Sequence, residues 1–249
     1  MFSHRFDQTL HRFVVFHWLL LSFNAGCINA GGFLATGRFV SHVTGFATLF
    51  GVDLIDRRFE AAVGIFSVPV FFLLGAFLAG LLIDRPIHQK KPPHFDYVMG
   101  LSALCLYLAA ATGDLTQFEK LGSVIHLKQV YILLALLCLA CGLQNAAITS
   151  SSGSSIRTTH LTGLTTDLGL GLARLFSFKS RDEGYRKEAR ANRLRAGTIL
   201  SFVLGSAIGA WIFMKLGYRG FIFSGSITLY AAWQGRRVKL IEHKQLLMG

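Results

Sequence analysis

Six apolar runs dominate this chain, at residues 13–35, 61–83, 97–111, 130–148, 196–214 and 220–233. Hydrocarbon offers a peptide group no partner, so a segment that crosses a bilayer must close its own hydrogen bonds, as a helix or within a closed barrel. None of the runs shows the short alternation of a barrel strand, and most approach the roughly 20 residues a spanning helix needs. The expected fold is therefore all-α, a polytopic transmembrane helical bundle. Composition agrees, since 52% hydrophobic and 15% charged residues make the chain too apolar for an ordinary soluble domain.

Two further apolar segments, 42–56 and 160–178, have uninterrupted apolar cores of about 10 to 14 residues, which is short for a crossing. The expectation is six secure spans plus two short polar helices, either re-entrant or spanning. The formal charge of +12 collects at the ends of the runs. Membrane topology explains it there, and nucleic acid is not an expected partner. In both arrangements the Lys and Arg excess lies on the side of the termini, which predicts cytoplasmic termini in an inner membrane. Charge does not separate the two arrangements. Four spans per half would give two parallel halves and three would give an inverted pair; the short cores favour three, with the short helices inserted.

The most unusual stretch is 142–167, GLQNAAITSSSGSSIRTTHLTGLTTD. It leaves an apolar run, breaks into a Ser-rich segment, and re-enters apolar sequence carrying His, Thr and Asp. It also has an echo. Ser41-His42-Val43-Thr44-Gly45-Phe46-Ala47-Thr48 aligns without gaps on Thr159-His160-Leu161-Thr162-Gly163-Leu164-Thr165-Thr166, and Gly51 falls on Gly169 at the same offset. Asn29-Ala30 matches Asn145-Ala146 with a two-residue slip. The chain thus reads as one membrane domain, 1–249, made of repeat one at 1–118 and repeat two at 119–249.

Asp53 and Asp167 are the two acids that fall within apolar segments clear of the interfaces. At 100° per residue His160 shares a helix face with Asp167, and His42 shares one with Asp53, while Thr44 and Thr48, like Thr162 and Thr166, stack four apart. Each short helix is expected to turn these groups inward, where they coordinate a cation, relay a proton or bind a polar solute. The bland alternative is that the Thr hydroxyls bond their own backbone and Gly marks close packing. Asp167 leads the candidates, because an ionisable group in a bilayer is costly unless used or paired, and Arg157 is its most obvious charge partner. The remaining candidates are Asn24, Asn29, Gln144, Asn145 and Thr159.

Other chemistry finds little footing. The Ser run at 150–155 lacks a nucleophile elbow, the His spacing does not fit a metal helix, and no Gly-rich loop offers to cradle phosphate. An enzyme, a cofactor and a metal site are not expected. Cys27, Cys105, Cys138 and Cys141 lie in apolar sequence and read as small buried hydrophobes. Residues 25–27 mimic a lipoprotein cleavage site, but Asn24 stands where such a site wants Leu and the apolar run continues, so an uncleaved first helix is expected.

The segments Asn24-Ala25-Gly26-Cys27-Ile28-Asn29-Ala30, Phe39-Val40-Ser41-His42-Val43-Thr44-Gly45, Gly142-Leu143-Gln144-Asn145-Ala146 and 157–169 together resemble the YoaK-type family of bacterial integral membrane proteins. The resemblance runs through most of the chain and implies a multi-pass membrane fold. It implies no particular activity. The first half departs from the family pattern, with Asn29 where members usually carry Asp and Phe46 where Asn usually follows Thr-Gly. The functional expectation is a permease-like protein moving a small polar solute or ion between two repeats. Its rival is a non-transporting scaffold or sensor in which the duplicated motif only packs.

Overall fold

The computed structural model describes residues 12–115, 127–152, 159–177 and 182–248. These residues form a bundle of α-helices: α1 (Arg12–Thr36), α2 (Val43–Ile55), α3 (Phe59–Leu82), α4 (Asp84–His88), α5 (Phe95–Leu115), α6 (Leu127–Ser151), α7 (Leu161–Ser177), α8 (Glu183–Leu216) and α9 (Gly220–Met248). Five stretches are long and apolar enough to cross a membrane: Val14–Thr36, Phe59–His88, Phe95–Gly113, Tyr131–Ser151 and Glu183–Arg236. The last of them contains both α8 and α9, joined by a single 3-10 turn at Gly217–Arg219. That turn reverses the chain, because Gly217 takes φ +58° and the rings of Phe213 and Phe221 meet at 4.6 Å.

The two short segments are helices of 13 and 17 residues. At 1.5 Å per residue α2 is about 20 Å long, against roughly 30 Å of hydrocarbon. Each starts beside the body of the long helix before it. Gly37 at φ +69° turns the chain back after α1, and Val40 then lies against Gly32, where a Cβ would come within 2.5 Å of its Cγ1. The Val40 carbonyl accepts from Cys138 Sγ of α6 at 3.2 Å. After α6, the amide of Thr159 donates to Asn145 Oδ1 at 3.4 Å, well back from the helix end at Ser151.

The stretch 179–195 is so dense in Arg, Lys and acids that by sequence it reads as a charged loop between apolar runs, yet residues from Glu183 onward are the first turns of α8. Charge excludes this segment from lipid and does not exclude a helix. Ala, Arg, Lys and Glu are good helix formers, and Arg195 bonds Glu188 at 2.8 Å and Asn192 at 2.6 Å along the same helix. The basic loop after α3 likewise contains the short α4, and Pro69 is accommodated inside α3.

Helix directions follow from which residues meet. Ser22, Gly26 and Cys27 of α1 meet Thr198, Phe202 and Gly209 of α8 in ascending order, so these two helices run parallel. Gly64 and Gly75 of α3 meet Tyr131 and Leu139 of α6, again in parallel. By contrast, Trp18 of α1 donates to Ser151 of α6 at 3.2 Å while Val40, just beyond α1, meets Cys138, so α1 and α6 run antiparallel. Helices α5 and α9 are also antiparallel, with Gly113 against Tyr218, Tyr107 against Gly225, and Phe95 against Gly235.

Close approach at the two parallel crossings depends on missing side chains. A Cβ on Gly26 would overlap the Phe202 carbonyl oxygen, and one on Gly205 would overlap that of Phe23. A Cβ on Gly142 would overlap the Phe72 carbonyl oxygen, and one on Gly75 that of Leu139. Small residues let backbones touch, which is the main source of helix association in lipid, where burial of apolar surface drives little.

Candidate functional site

At the centre of the bundle α1, α5, α6 and α9 each contribute polar side chains with almost no exposure: Asn24, Ser102, Gln144, and Thr228 with Ser224. Gln144 Nε2 donates to Ser102 Oγ at 3.0 Å and to Thr228 Oγ1 at 2.9 Å. Asn24 Nδ2 donates to the same Thr228 oxygen at 2.9 Å. The hydroxyls pass their protons to backbone, Ser102 to Ala140 O at 3.1 Å and Thr228 to Ser224 O at 2.9 Å. Four helices are thereby tied together through one connected network.

The network is incomplete at two atoms. Asn24 Oδ1 and Ser224 Oγ are buried and have no hydrogen-bond partner. A polar atom left so costs about 1–3 kcal/mol, and native proteins rarely keep one without a use. One helical turn from the network lies a cavity of about 50 Å³, bordered by His17, Leu21, Met99, Ala147, Ile148 and Ala231. Leu21, Met99, Ile148 and Ala231 stand three or four residues, one helical turn, from Asn24, Ser102, Gln144 and Thr228. None of the network residues borders the space, which is large enough for a few waters. On the other side of the network the way is filled by Ile28, Leu106, Leu137, Phe213 and Phe221, all fully buried.

Two expected site residues, Asn24 and Gln144, are thus brought together, bridged by Thr228. Asn29 and Asn145 do a different job, each holding the chain just before a short helix begins. Ser41 Oγ bonds Asn29 Oδ1 at 3.1 Å across 12 residues, and Thr159 bonds Asn145 across 14. The two extra residues account for the slip between the sequence echoes.

The remaining described candidates lie on or just before the short helices, and most of them face outward from this single chain. Thr44, Thr48, Thr162, Thr166 and Asp167 are exposed. Thr48 Oγ1 donates to Thr44 O at 3.3 Å and Thr166 Oγ1 to Thr162 O at 3.0 Å, so these hydroxyls bond their own helices. His42 and His160 precede α2 and α7 and fold over the glycine three positions on. A Cβ on Gly45 would stand 2.6 Å from His42 Nδ1, and one on Gly163 2.7 Å from His160 Nδ1. The shared His-x-Thr-Gly pattern therefore has a packing reason at both sites. Asp53 is buried and pairs with Arg58 at 2.8 Å, pinning the end of α2 to the start of α3. Arg157 lies outside the described residues.

Ser102, Ser224 and Thr228 were not singled out from sequence. A lone hydroxyl in an apolar run is ordinary, and nothing local tells which one meets an amide from another helix. The crossing partners had a visible signal, since Phe72-Leu73-Leu74-Gly75-Ala76 resembles Phe202-Val203-Leu204-Gly205-Ser206. It sits at a different offset from the other echo.

Arrangement and sequence can now be set beside known proteins. A family model described as "Protein of unknown function (DUF1275)" matches residues 17–233. The chain belongs to the DUF1275 family. It is 24% identical over 192 residues to the UPF0700 transmembrane protein YoaK of Bacillus subtilis (strain 168), covering 77% of this chain and 80% of that protein. No solved structure matches. The matched region includes the whole central network, and a transmembrane relative together with long apolar helices makes this DUF1275 protein a multi-pass membrane protein in contact with the lipid bilayer.

Proposed function

We propose that this DUF1275 protein is a permease-like protein of the bacterial inner membrane, with cytoplasmic termini, that passes a small polar solute or ion through a site between two inverted repeats. The observation that carries the reading is the unpartnered Oδ1 of Asn24, held in a four-helix polar network one helical turn from a cavity. A buried amide oxygen without a partner is a place for a donor to arrive.

Helix directions support the inverted arrangement. Helix α1 corresponds to α6, α3 to α8 and α5 to α9, and each pair runs antiparallel. The Gly26–Phe202 and Gly205–Phe23 contacts have their counterparts in Gly142–Phe72 and Gly75–Leu139. In this reading α2 and α7 are inserted short helices, the six long helices alternate in direction, and the end rich in Lys and Arg faces the cytoplasm. Because no ionisable group enters the central network, its own chemistry favours an uncharged, hydrogen-bonding solute over a strongly hydrated ion.

A scaffold is the second reading. It draws on the small size of the cavity and on the Thr hydroxyls that bond their own backbone. Uptake by proteoliposomes, screened across small polar solutes, tests the two. Transport through the network requires that Asn24→Leu and Gln144→Leu abolish uptake while the protein still folds, whereas Asp167→Asn has a smaller effect. Uptake that survives Asn24→Leu removes the network from the path. Uptake lost in Asp167→Asn alone moves the site to α7. A purified protein that passes none of the solutes supports the scaffold.

A further inference from the structure

A second cavity bordered by described residues lies away from the central network, in the connection from α3 to α5. It encloses about 420 Å³ and is lined by Arg85, Gln89, Lys91 and His94 with Leu81 and two prolines. No carboxylate lines it, although Asp84 and Asp96 flank it in sequence. Neither Arg85 nor Lys91 forms an ion pair among the described residues. Two exposed cationic residues and an exposed amide residue thus border an open space whose lining holds no carboxylate.

The loop is held in this shape by its backbone. Lys90 takes φ +58°, unusual for a residue with a side chain. That turn lets the Lys91 amide donate to Pro86 O at 2.8 Å and the His94 amide to Leu82 O at 3.0 Å, folding Lys91 back over α4 toward Arg85. Local strain of this kind is kept where the surroundings hold it, often at ligand sites.

The cavity also continues an apolar track. Val70, Leu74, Phe77 and Leu81 are exposed on α3 at three- and four-residue spacing, so they form one stripe that ends at Arg85. Apolar surface leading to a basic cleft at a helix end matches an acyl chain attached to an anionic head.

We propose that this cleft binds the phosphate of an anionic phospholipid, with Arg85 and Lys91 as its charge partners, Gln89 as a further donor, and an acyl chain along the α3 stripe. The site is independent of the transport reading. The test measures thermal stabilisation of the full chain in detergent on addition of phosphatidylglycerol, phosphatidylcholine or inorganic phosphate. Phosphatidylglycerol should stabilise far more than phosphatidylcholine. At about one kcal/mol per basic residue, the Arg85→Gln/Lys91→Gln protein should bind it roughly thirty-fold more weakly. Arg57→Gln/Lys215→Gln, at the ends of other helices, should leave binding unchanged. Should the double variant fold poorly, Lys91→Gln alone, on an exposed loop, should weaken binding about five-fold. Equal stabilisation by both lipids, or binding retained in the cleft variants, overturns the proposal. Full stabilisation by inorganic phosphate alone overturns it in favour of a free-phosphate site.

Discussion

Replacing Gly205 by Ala tests whether backbone contact between α1 and α8 holds the bundle together. The added Cβ would overlap the carbonyl oxygen of Phe23 and come within 2.9 Å of its Cα, both backbone atoms that no rotamer change can move. The helices must separate by about 1 Å to restore ordinary contact, and a gap of that size forfeits a quarter to a half of the dispersion energy of each affected pair. This interface is the most extensive between any two helices. The cost should therefore lie at the upper end of the overpacking range, about 3 kcal/mol. For a chain of this length that lowers the melting temperature by roughly 6–12 °C. Gly169 on α7 has nothing within 4 Å of its would-be Cβ. Gly169→Ala should leave melting unchanged or raise it, since Ala is favoured in a helix by up to about 1 kcal/mol. Fluorescence-detected melting in one detergent compares the three proteins. Equal melting temperatures, or a Gly169→Ala protein that melts as early as Gly205→Ala, would refute the reasoning.

Cysteines placed at Arg58 and Lys90 should label from opposite sides of the membrane, Arg58→Cys from outside and Lys90→Cys from inside, when α2 is inserted; the reverse pattern means that α2 crosses. Arg58→Ala should destabilise by about 2 kcal/mol, because it leaves the buried Asp53 carboxylate unpaired. Asp53→Asn should cost less than about 1 kcal/mol, since the exposed Arg58 keeps Asp56 at 3.1 Å; equal losses in melting would contradict this ordering. Gln144→Leu removes two buried hydrogen bonds and should lower stability by about 2–3 kcal/mol. Asn24→Leu removes one and also an unpartnered oxygen, so it should be milder, and a larger loss for Asn24→Leu would count against the network.

Short-range physics made much of this fold readable. The apolar runs that must bury their peptide groups became α1, α3, α5, α6, α8 and α9, and the two short runs became α2 and α7 within a residue or two of their expected ends. Charge misled in one place, because 183–195 is as helical as the apolar sequence it continues into. Helix formation answers to backbone and side-chain entropy, whereas partition into lipid answers to charge. The echo between 41–48 and 159–166 marked the starts of the two short helices, and the structure supplies a reason in the imidazoles that fold over Gly45 and Gly163.

The sequence by itself determined that this chain is a helical, multi-pass membrane protein with two unusual polar segments, since hydrocarbon imposes those demands locally. Only the tertiary structure decided which polar groups meet. Hydroxyls and amides far apart in the chain converge when four helices pack, so Asn24, Ser102, Gln144 and Thr228 form one network that no local pattern announces. It also left Asp167 and the Thr pairs on the outer faces of the short helices, because which face a helix turns inward depends on its neighbours. The glycines that set those neighbours, at 26, 75, 142 and 205, act through backbones from other parts of the chain.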